Sequence, residues 1–329
     1  MLPPTPQLIV EPDDGLAPVI EFINSAESSL LVKQFTFTEP SLIAAVIDRK
    51  KSGVDVRVML NAQRSGGDRA NDETYEQFSS AGIAVQWASS KFYVTHEKSI
   101  VVDEKAALVA TFNLCEKYFT LTRDYGVITY NPFHVAQIVE VFNADWNHLD
   151  WDCGTWEGLL WSNSNSRYHM AQFIDLAEHR LDVQHPKFVD AVILERLAAA
   201  ADRGVKVNVL CGGKHGISEW DILDTFASLR TLRRFGAKVH KQKNFRVHAK
   251  LIIVDETKAL VGSMNIDRSA FDLRRELGIM TDDPALVGRL KQTFTSDWDS
   301  SHHYNAPDPL ESAHHHEDDF PHDEDLIHE

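Results

Sequence analysis

The sequence of 329 residues has few cysteines and no long apolar run. Its three cysteines, Cys115, Cys153 and Cys211, are widely spaced without a metal-ligand pattern, which predicts reduced residues in the core or at its edge. No run of about 18 apolar residues occurs, so no membrane-spanning helix is expected. The N-terminal residues show neither the basic nor the apolar region of a signal peptide. We therefore expect a cytoplasmic protein that can also lie at the periphery of a membrane.

Basic residues are in deficit, with 33 Lys and Arg against 49 Asp and Glu and a net charge of −16. Nine of the acids fall in residues 308–329, so the rest of the chain has 40 acids against 33 bases, a charge of −7. This balance argues against a protein that coats nucleic acid with a basic surface. A hydrophobic content of 43% argues against disorder in most of the chain. Residues 306–329 are predicted to be a disordered acidic tail that contains histidines.

Many positions of the first half of the chain recur 151 or 152 residues later. The recurring pairs that carry polar chemistry are His96 with His248, Lys98 with Lys250, Asp103 with Asp255, Thr111 with Ser263, Asn113 with Asn265, and Asp124 with Glu276. So many matches in one register indicate an internal duplication. They predict a first lobe over residues 1–150 and a second over residues 151–305.

Each copy alternates strand patterns with helix patterns. Leu30–Phe37 is an apolar-rich strand, and Leu42–Lys51 has i, i+4 spacing of apolar residues before Gly53. A closing helix is predicted over residues 132–146, and a longer helix over residues 220–235 of the second copy. This mixed order, with strand following strand late in each copy, predicts an α/β fold of two tandem α/β/α sandwich lobes related by a pseudo-twofold duplication.

The recurring residues bring together an imidazole, an ammonium and a carboxamide in each copy. In a strand, residues i and i+2 point to the same face, so His96 and Lys98 project together. His248 and Lys250 do the same, and an Asn ends the next strand of each copy. If the halves meet about a twofold axis, all of these groups converge on one site.

Such a site suits transfer at a phosphodiester. A neutral imidazole can attack phosphorus to form a phosphohistidine, and a protonated imidazole can donate to the leaving oxygen. Lys and Asn donors stabilise charge on the non-bridging oxygens. Asp124 and Glu276 each lie 28 residues after the histidine of their own copy, where we expect them to hold that imidazole's tautomer and orientation.

These residues resemble the phospholipase D superfamily, whose signature is His-x-Lys-x4-Asp-x6-Gly-Ser-x-Asn. The second copy matches it in full, and the first has Ala110-Thr111 in place of Gly-Ser. The resemblance implies lobes of phospholipase D type, one active site for which a monomer is sufficient, no metal or other cofactor, and a phosphohistidine intermediate. It also implies His96 as nucleophile, His248 as acid and base, and structural roles for Asp103 and Asp255.

Two substrate classes remain open. The first is phospholipid at a membrane surface, whose head groups would be hydrolysed or exchanged as in relatives of cardiolipin synthase. Two motifs in one chain favour it, because small nucleases of the family often carry one motif and dimerise. The alternative is a nuclease or a phosphodiesterase of soluble esters, which the negative charge disfavours. A metal site at His96 and His248 is disfavoured, since Lys is not a usual ligand and no third His or acid lies at ligand spacing.

Other residues have less specific interpretations. The arginines that flank the orienting acids either contact substrate or lie at the surface; they are Arg123, Arg274 and Arg275. Asp145-Trp146 and Asp297-Trp298 close helices and are interpreted as packing or capping residues. The segment Cys211-Gly212-Gly213-Lys214 lacks the spacing of a P-loop and is interpreted as a loop near the mouth of the site.

Overall fold

The computed structural model describes residues 4–64, 66–153, 158–215 and 217–308, so nearly all of the predicted acidic tail lies outside the described residues. Within the described ranges, the helices are all too short or too polar to cross a membrane. Cys115 and Cys211 are buried, and Cys153 is half-buried.

The elements of the first half alternate as the sequence indicates. They are β1 (Gln7–Glu11), α1 (Ala17–Asn24), β2 (Ser29–Gln34), α2 (Pro40–Lys51), β3 (Asp55–Leu60), α3 (Asp72–Ser80), β4 (Ala84–Trp87), β5 (Ser99–Val102), β6 (Ala106–Ala110), a 3-10 turn (Glu116–Phe119), β7 (Thr122–Thr129) and α4 (Pro132–Trp146).

The second half repeats this order and adds two short strands. Its elements are β8 (Leu159–Trp161), α5 (Ser166–Asp175), β9 (Arg180–Gln184), α6 (Ala191–Asp202), β10 (Lys206–Cys211), α7 (Glu219–Arg234), β11 (Lys238–Lys241), β12 (Arg246–Val247), β13 (Leu251–Val254), β14 (Lys258–Gly262), α8 (Arg268–Asp272), β15 (Leu277–Thr281), α9 (Pro284–Ser300) and β16 (His302–His303).

Each half builds one mixed sheet. The strand order is β1-β7-β6-β5-β2-β3-β4 in the first and β16-β11-β10-β9-β13-β14-β15-β8 in the second. Strands β2, β3 and β4 are parallel, whereas β5, β6 and β7 continue the sheet in antiparallel pairs. Strands β9 to β11 and β13 to β15 repeat this arrangement. The α/β fold with two tandem lobes is therefore confirmed.

Local sequence explains where the main helices begin and end. Helix α2 has Pro40 in its first turn, the Glu39 side chain accepts from the Ser41 N–H, and Gly53 follows at a φ of 92°. Helix α4 is capped by the Asn131 side chain on the Phe133 N–H. Sequence reasoning missed the edge strands β1 and β8, because strands of five and three residues are too short to show a recognisable strand pattern.

The two sheets face each other across a shared apolar layer. Helix α4 of the first half and α9 of the second both contribute to it, with Phe142 and Phe294 at equivalent positions. The strands contribute side chains such as Val127 and Leu277, and all four of these residues are buried. Separate apolar clusters lie on the outer face of each sheet. The inner layer means that the halves pack as one unit.

Buried ion pairs cross this layer at pseudo-equivalent places. Arg123 donates through Nε and Nη2 to the Asp297 carboxylate at 2.8 and 3.0 Å. Arg275 donates to Asp145 in the same manner at 3.0 and 2.8 Å. The interpretation of Asp145 and Asp297 as capping residues is thus wrong, because helix geometry points them at the opposite half. A surface position for Arg123 and Arg275 is wrong as well, since both are buried.

We expect Arg123→Ala to lower the free energy of unfolding by about 3–5 kcal/mol, because it leaves the Asp297 carboxylate buried without its guanidinium. Urea denaturation measures this loss, and adding Asp297→Asn to the same chain should restore part of it. Lys51→Ala is the control, since its pair with Asp48 is exposed and should contribute under about 1 kcal/mol. A loss as small as that of Lys51→Ala would contradict a structural role for the buried pair.

Candidate active site

Each motif histidine is anchored by the backbone of the other half. The N–H groups of His96 and Glu97 both donate to the Arg275 carbonyl at 2.9 Å. The N–H groups of His248 and Ala249 donate to the Arg123 carbonyl at 3.3 and 2.9 Å. Just before His248, β12 pairs in parallel with β7 of the first half. Both imidazoles are buried, so their positions depend on contacts from across the interface.

The imidazoles bind carboxyl groups in a crossed arrangement. His96 Nδ1 lies 2.9 Å from Glu276 Oε2, and His248 Nδ1 lies 2.6 Å from Asp124 Oδ1. The expectation that each acid orients the histidine of its own half is therefore wrong. The reason is geometric: the segment before each histidine runs beside the strand of the opposite half that carries the acid. The sequence spacing correctly predicted that each histidine contacts an acid, but it assigned each histidine the acid of the wrong half.

The two carboxyl groups have different surroundings. Asp124 accepts hydrogen bonds from the hydroxyls of Thr111 and Thr122 at 2.5 and 2.6 Å as well as contacting His248. Burial raises the pKa of Glu276 to about 8, while the charges of Lys98 and Arg274 and the Ser263 hydroxyl act in the opposite direction. Burial thus disfavours the charged form of Glu276.

The Ala-Thr variation in the first motif has a local explanation. A Cβ on Gly262 would lie 2.6 Å from the Gly278 Cα and the Leu277 carbonyl, so the second half requires glycine there. In the first half, Ala110 pairs with Gly126 across β6 and β7. Thr111 keeps the hydroxyl, which it uses to bind the Asp124 carboxylate.

The lysines and asparagines complete the polar lining of the site. Lys98 Nζ donates to the His96 carbonyl at 2.7 Å, and Lys250 Nζ lies 2.9 Å from His248 Nε2. Within the described part of the chain, the buried amide atoms Asn113 Oδ1, Asn265 Oδ1 and Asn265 Nδ2 have no hydrogen-bond partner. Buried polar atoms left without a partner are costly. Asn265 Nδ2 is a donor that can bind a ligand oxygen, whereas the two Oδ1 atoms can accept only from a donor such as a ligand hydroxyl.

The motif aspartates lie away from the histidines. Asp103 accepts from the backbone N–H groups of residues 27–29, and Asp255 from those of residues 178–180. Burial raises the pKa of Asp103, but these hydrogen bonds outweigh it and lower that pKa to about 2. Strands β5 and β13 separate both aspartates from His96 and His248, a distance of about 20 Å in extended chain.

Two residues beside the motif lysines escaped sequence reasoning. Gln34 ends β2 opposite Lys98, and His185 follows β9 opposite Lys250, as the strand registers place them. Both side chains are buried. Burial, with the charge of Lys250, holds the pKa of His185 well below its usual value, so the imidazole is neutral. They are 151 residues apart, and that offset was the signal that could have identified them.

Glu11 is a third buried group that sequence reasoning missed. It pairs with Asp124 in the register of β1 and β7, so the two side chains share one face of the sheet. Burial raises the pKa of Glu11 to about 8, the Gly15 N–H opposes this shift, and the carboxylates of Asp124, Asp14 and Asp13 add to it. The position 151 residues later holds Ser162, so this acid belongs to one half alone.

We expect Glu11→Gln to stabilise the protein at pH 9 relative to the unmodified chain and to change its stability little at pH 5. A carboxyl group whose pKa is higher in the folded state stabilises below its unfolded pKa of about 4.5, and this contribution is lost as the pH rises towards 8. The glutamine side chain has nearly the same shape as a protonated glutamate and stays uncharged at every pH. Urea denaturation at both pH values measures the difference, and an equal effect at pH 5 and pH 9 would contradict the assigned protonation.

Comparison with known proteins supports the interpretation of the motifs. The family model described as cardiolipin synthase, phospholipase D-like domain, matches residues 19–146 and 170–298. A cardiolipin synthase of Staphylococcus aureus (strain Mu50) is 27% identical over 233 residues, covering 61% of this chain and 46% of that protein. The major cardiolipin synthase of Bacillus subtilis is 26% identical over 291 residues, covering 77% and 59%. The chain thus spans about half the length of these relatives.

Solved structures share the fold at low sequence identity. Phosphatidylserine synthase of Haemophilus influenzae superposes with a TM-score of 0.73 at 13% identity, covering 92% of this chain and 88% of that one. Polyphosphate kinase of Porphyromonas gingivalis gives the same TM-score at 16% identity, covering 92% and 49%. With the family model matched on both halves, the chain belongs to the phospholipase D superfamily, in the family of cardiolipin synthase, phospholipase D-like domains.

Proposed function

We propose that this protein is a phosphodiesterase and phosphatidyltransferase that cleaves or exchanges phospholipid head groups at one site between its halves. The observation that carries this proposal is the crossed pair of imidazole–carboxyl contacts, His96 with Glu276 and His248 with Asp124. Two oriented imidazoles beside two ammonium groups suit displacement at phosphorus. The names of the relatives, cardiolipin synthases of two bacteria, support a lipid phosphodiester as substrate.

The reaction proceeds in two displacements. In the first, His96 Nε2 attacks phosphorus, the bond from phosphorus to the leaving oxygen breaks, and the proton on His248 passes to that oxygen. In the second, His248 takes the proton of water or of an acceptor alcohol, whose oxygen attacks phosphorus while the P–N bond breaks. Lys98 and Lys250 stabilise the negative charge on the non-bridging oxygens.

The different carboxyl surroundings support this division of roles. Asp124, held by two threonine hydroxyls, contacts Nδ1 of His248 and so orients the ring of the proposed acid and base. Glu276, whose charged form is disfavoured by burial, lies 2.9 Å from Nδ1 of His96. When His96 donates its Nδ1–H to Glu276 Oε2, the lone pair remains on Nε2, as a nucleophile needs.

We expect His96→Ala and His248→Ala each to lower steady-state turnover at least 1,000-fold without loss of folding, since each removes one half of a shared site. Bis(p-nitrophenyl) phosphate separates their roles, because p-nitrophenolate leaves without protonation. His248→Ala should release one equivalent of p-nitrophenol in a burst and then stop, whereas His96→Ala should give no burst.

The exposed His179→Ala is the control and should keep the turnover of the unmodified chain. A burst from His96→Ala alone would reverse the two roles. Near-full turnover by either variant would contradict the shared site. Parallel assays on phosphatidylglycerol vesicles and single-stranded DNA decide between lipid and nucleic acid as substrate.

Exposed apolar side chains beside the site support action at a membrane surface. Tyr93 and Leu273 are 61% and 55% exposed, and the Tyr93 N–H donates to the Leu273 carbonyl at 2.9 Å. They lie three residues before His96 and Glu276. Leu121, the equivalent of Leu273, is 52% exposed. We propose that this rim contacts lipid, so that the protein acts as a peripheral membrane enzyme.

We expect Tyr93→Ser with Leu273→Ser to weaken binding to phosphatidylglycerol vesicles at least tenfold, because insertion of each side chain contributes on the order of 1.5–3 kcal/mol. Vesicle co-sedimentation measures the change. Leu176→Ser is the matched control, since Leu176 is 50% exposed at the other end of the second sheet. An equal loss of binding in both variants would contradict a rim at the site.

A further inference from the structure

A cavity of about 400 Å³ opens at the loop that leads from β11 to β12 in the second half. Its walls come from four segments: the loop after β10, the end of β11 with the loop to β12, Leu121 of the first half, and β16. Strand β16 adds to the edge of the sheet, with His302 opposite Lys241 in the register. We call this space the cationic pocket.

The cationic pocket concentrates basic side chains in an acidic protein. Its lining includes Lys241, Lys243 and Arg246 with the imidazoles of His215 and His302. Among the described residues that line it, none is Asp or Glu. A concave surface that holds charge of one sign attracts the opposite charge more strongly than the same residues on a convex surface. The ligand that fits is therefore an anion.

The first half has lost or neutralised these charges at the equivalent positions. Trp87 takes the place of Lys241, because Trp87 pairs with Leu60 as Lys241 pairs with Cys211. Tyr93 takes the place of Arg246, because their N–H groups donate to Leu273 and Leu121 in turn. Lys91, in the corresponding loop of the first half, pairs with Asp150, and His302 stands at the position of Asp150 itself. The duplicated architecture thus does not require the cations, and the surplus is specific to the second half.

The glycines after β10 shape the wall of the cationic pocket. Gly213 has a φ of 67°, and a Cβ there would lie 2.8 Å from Lys241 Cε. The lysine side chain therefore lies directly on the glycine backbone, where any larger residue would displace it. The catalytic site does not explain the Gly-Gly-Lys segment after β10. Its second glycine supports the charged side chain of Lys241.

The cationic pocket adjoins the reacting centre. Arg246 lies two residues before His248, so their Cα atoms are within about 7 Å of each other. Its N–H donates to the carbonyl of Leu121, three residues before Asp124. These contacts place the lining of the cationic pocket next to the chain segments that carry His248 and Asp124.

We propose that the cationic pocket binds a phosphate group carried by the acceptor alcohol, which positions the acceptor hydroxyl beside His248 for the second displacement. This inference rests on the proposed transferase function. Phosphate is the anion class that Lys and Arg together recognise by charge and by multiple hydrogen bonds. A phosphate-bearing acceptor is then used in preference to the same alcohol without phosphate.

A competition between glycerol and glycerol 3-phosphate as acceptors tests this selectivity. Bis(p-nitrophenyl) phosphate is the donor of the transferred group in both cases. Lys241→Ala with Lys243→Ala should lower the ratio of transfer to glycerol 3-phosphate over transfer to glycerol at least tenfold, through a higher KM for the phosphorylated acceptor. Lys91→Ala, which removes a lysine from the corresponding loop of the first half, should leave the ratio as it is. An unchanged ratio in the double variant, or an equal fall in Lys91→Ala, would overturn the inference.

A binding arm separates failure of the cationic pocket from failure of the proposed function. Inorganic phosphate should shift the imidazole NMR resonances of His215 and His302, and the Lys241→Ala, Lys243→Ala variant should need at least tenfold more phosphate for the same shift. Absent or equal shifts in the two proteins would overturn the pocket assignment whatever the activity. Phosphate-dependent shifts in a chain that transfers to no acceptor would support the pocket and contradict the transferase.

Discussion

Burial of charge at the boundary between the two halves constrains the whole active site. A buried carboxylate or guanidinium is costly unless an oppositely charged group meets it, and here the arginines of each half meet carboxylates of the other. Arg123 with Asp297 and Arg275 with Asp145 satisfy this condition on pseudo-equivalent sides. Because the carbonyls of Arg123 and Arg275 also hold the backbones of the motif histidines, the same arginine residues fix both the interface and the site.

The duplication makes the two halves of the site similar. Residues that differ between the halves give the two histidines different surroundings. Two equal imidazoles would share one protonation state, whereas nucleophile and acid need different ones. Asp124 differs from Glu276 in its hydrogen bonds, and Glu11 stands beside Asp124 where the other half has Ser162. The proposed cationic pocket is another such difference. Each departure from symmetry lies near a histidine.

Much of the fold followed from sequence because the duplication doubled every signal. Helices such as α4 end where apolar spacing and capping residues indicate, and the motif fixed which strand each histidine precedes. Sequence could not show that acids pair with histidines across the interface, since linear spacing carries no information on which half packs where. Glu11 and His185 were missed because single polar residues on short strands look alike whether they face solvent or a buried site.

The crossed pairing is the central claim, and nitrogen-15 NMR of the imidazoles tests it most directly. We expect Glu276→Gln to shift the Nδ1 resonance of His96 and leave that of His248, and Asp124→Asn to do the reverse. Both results follow from contacts of 2.9 and 2.6 Å to the opposite half. If each acid variant instead shifted the histidine of its own half, the shared site described here would be contradicted.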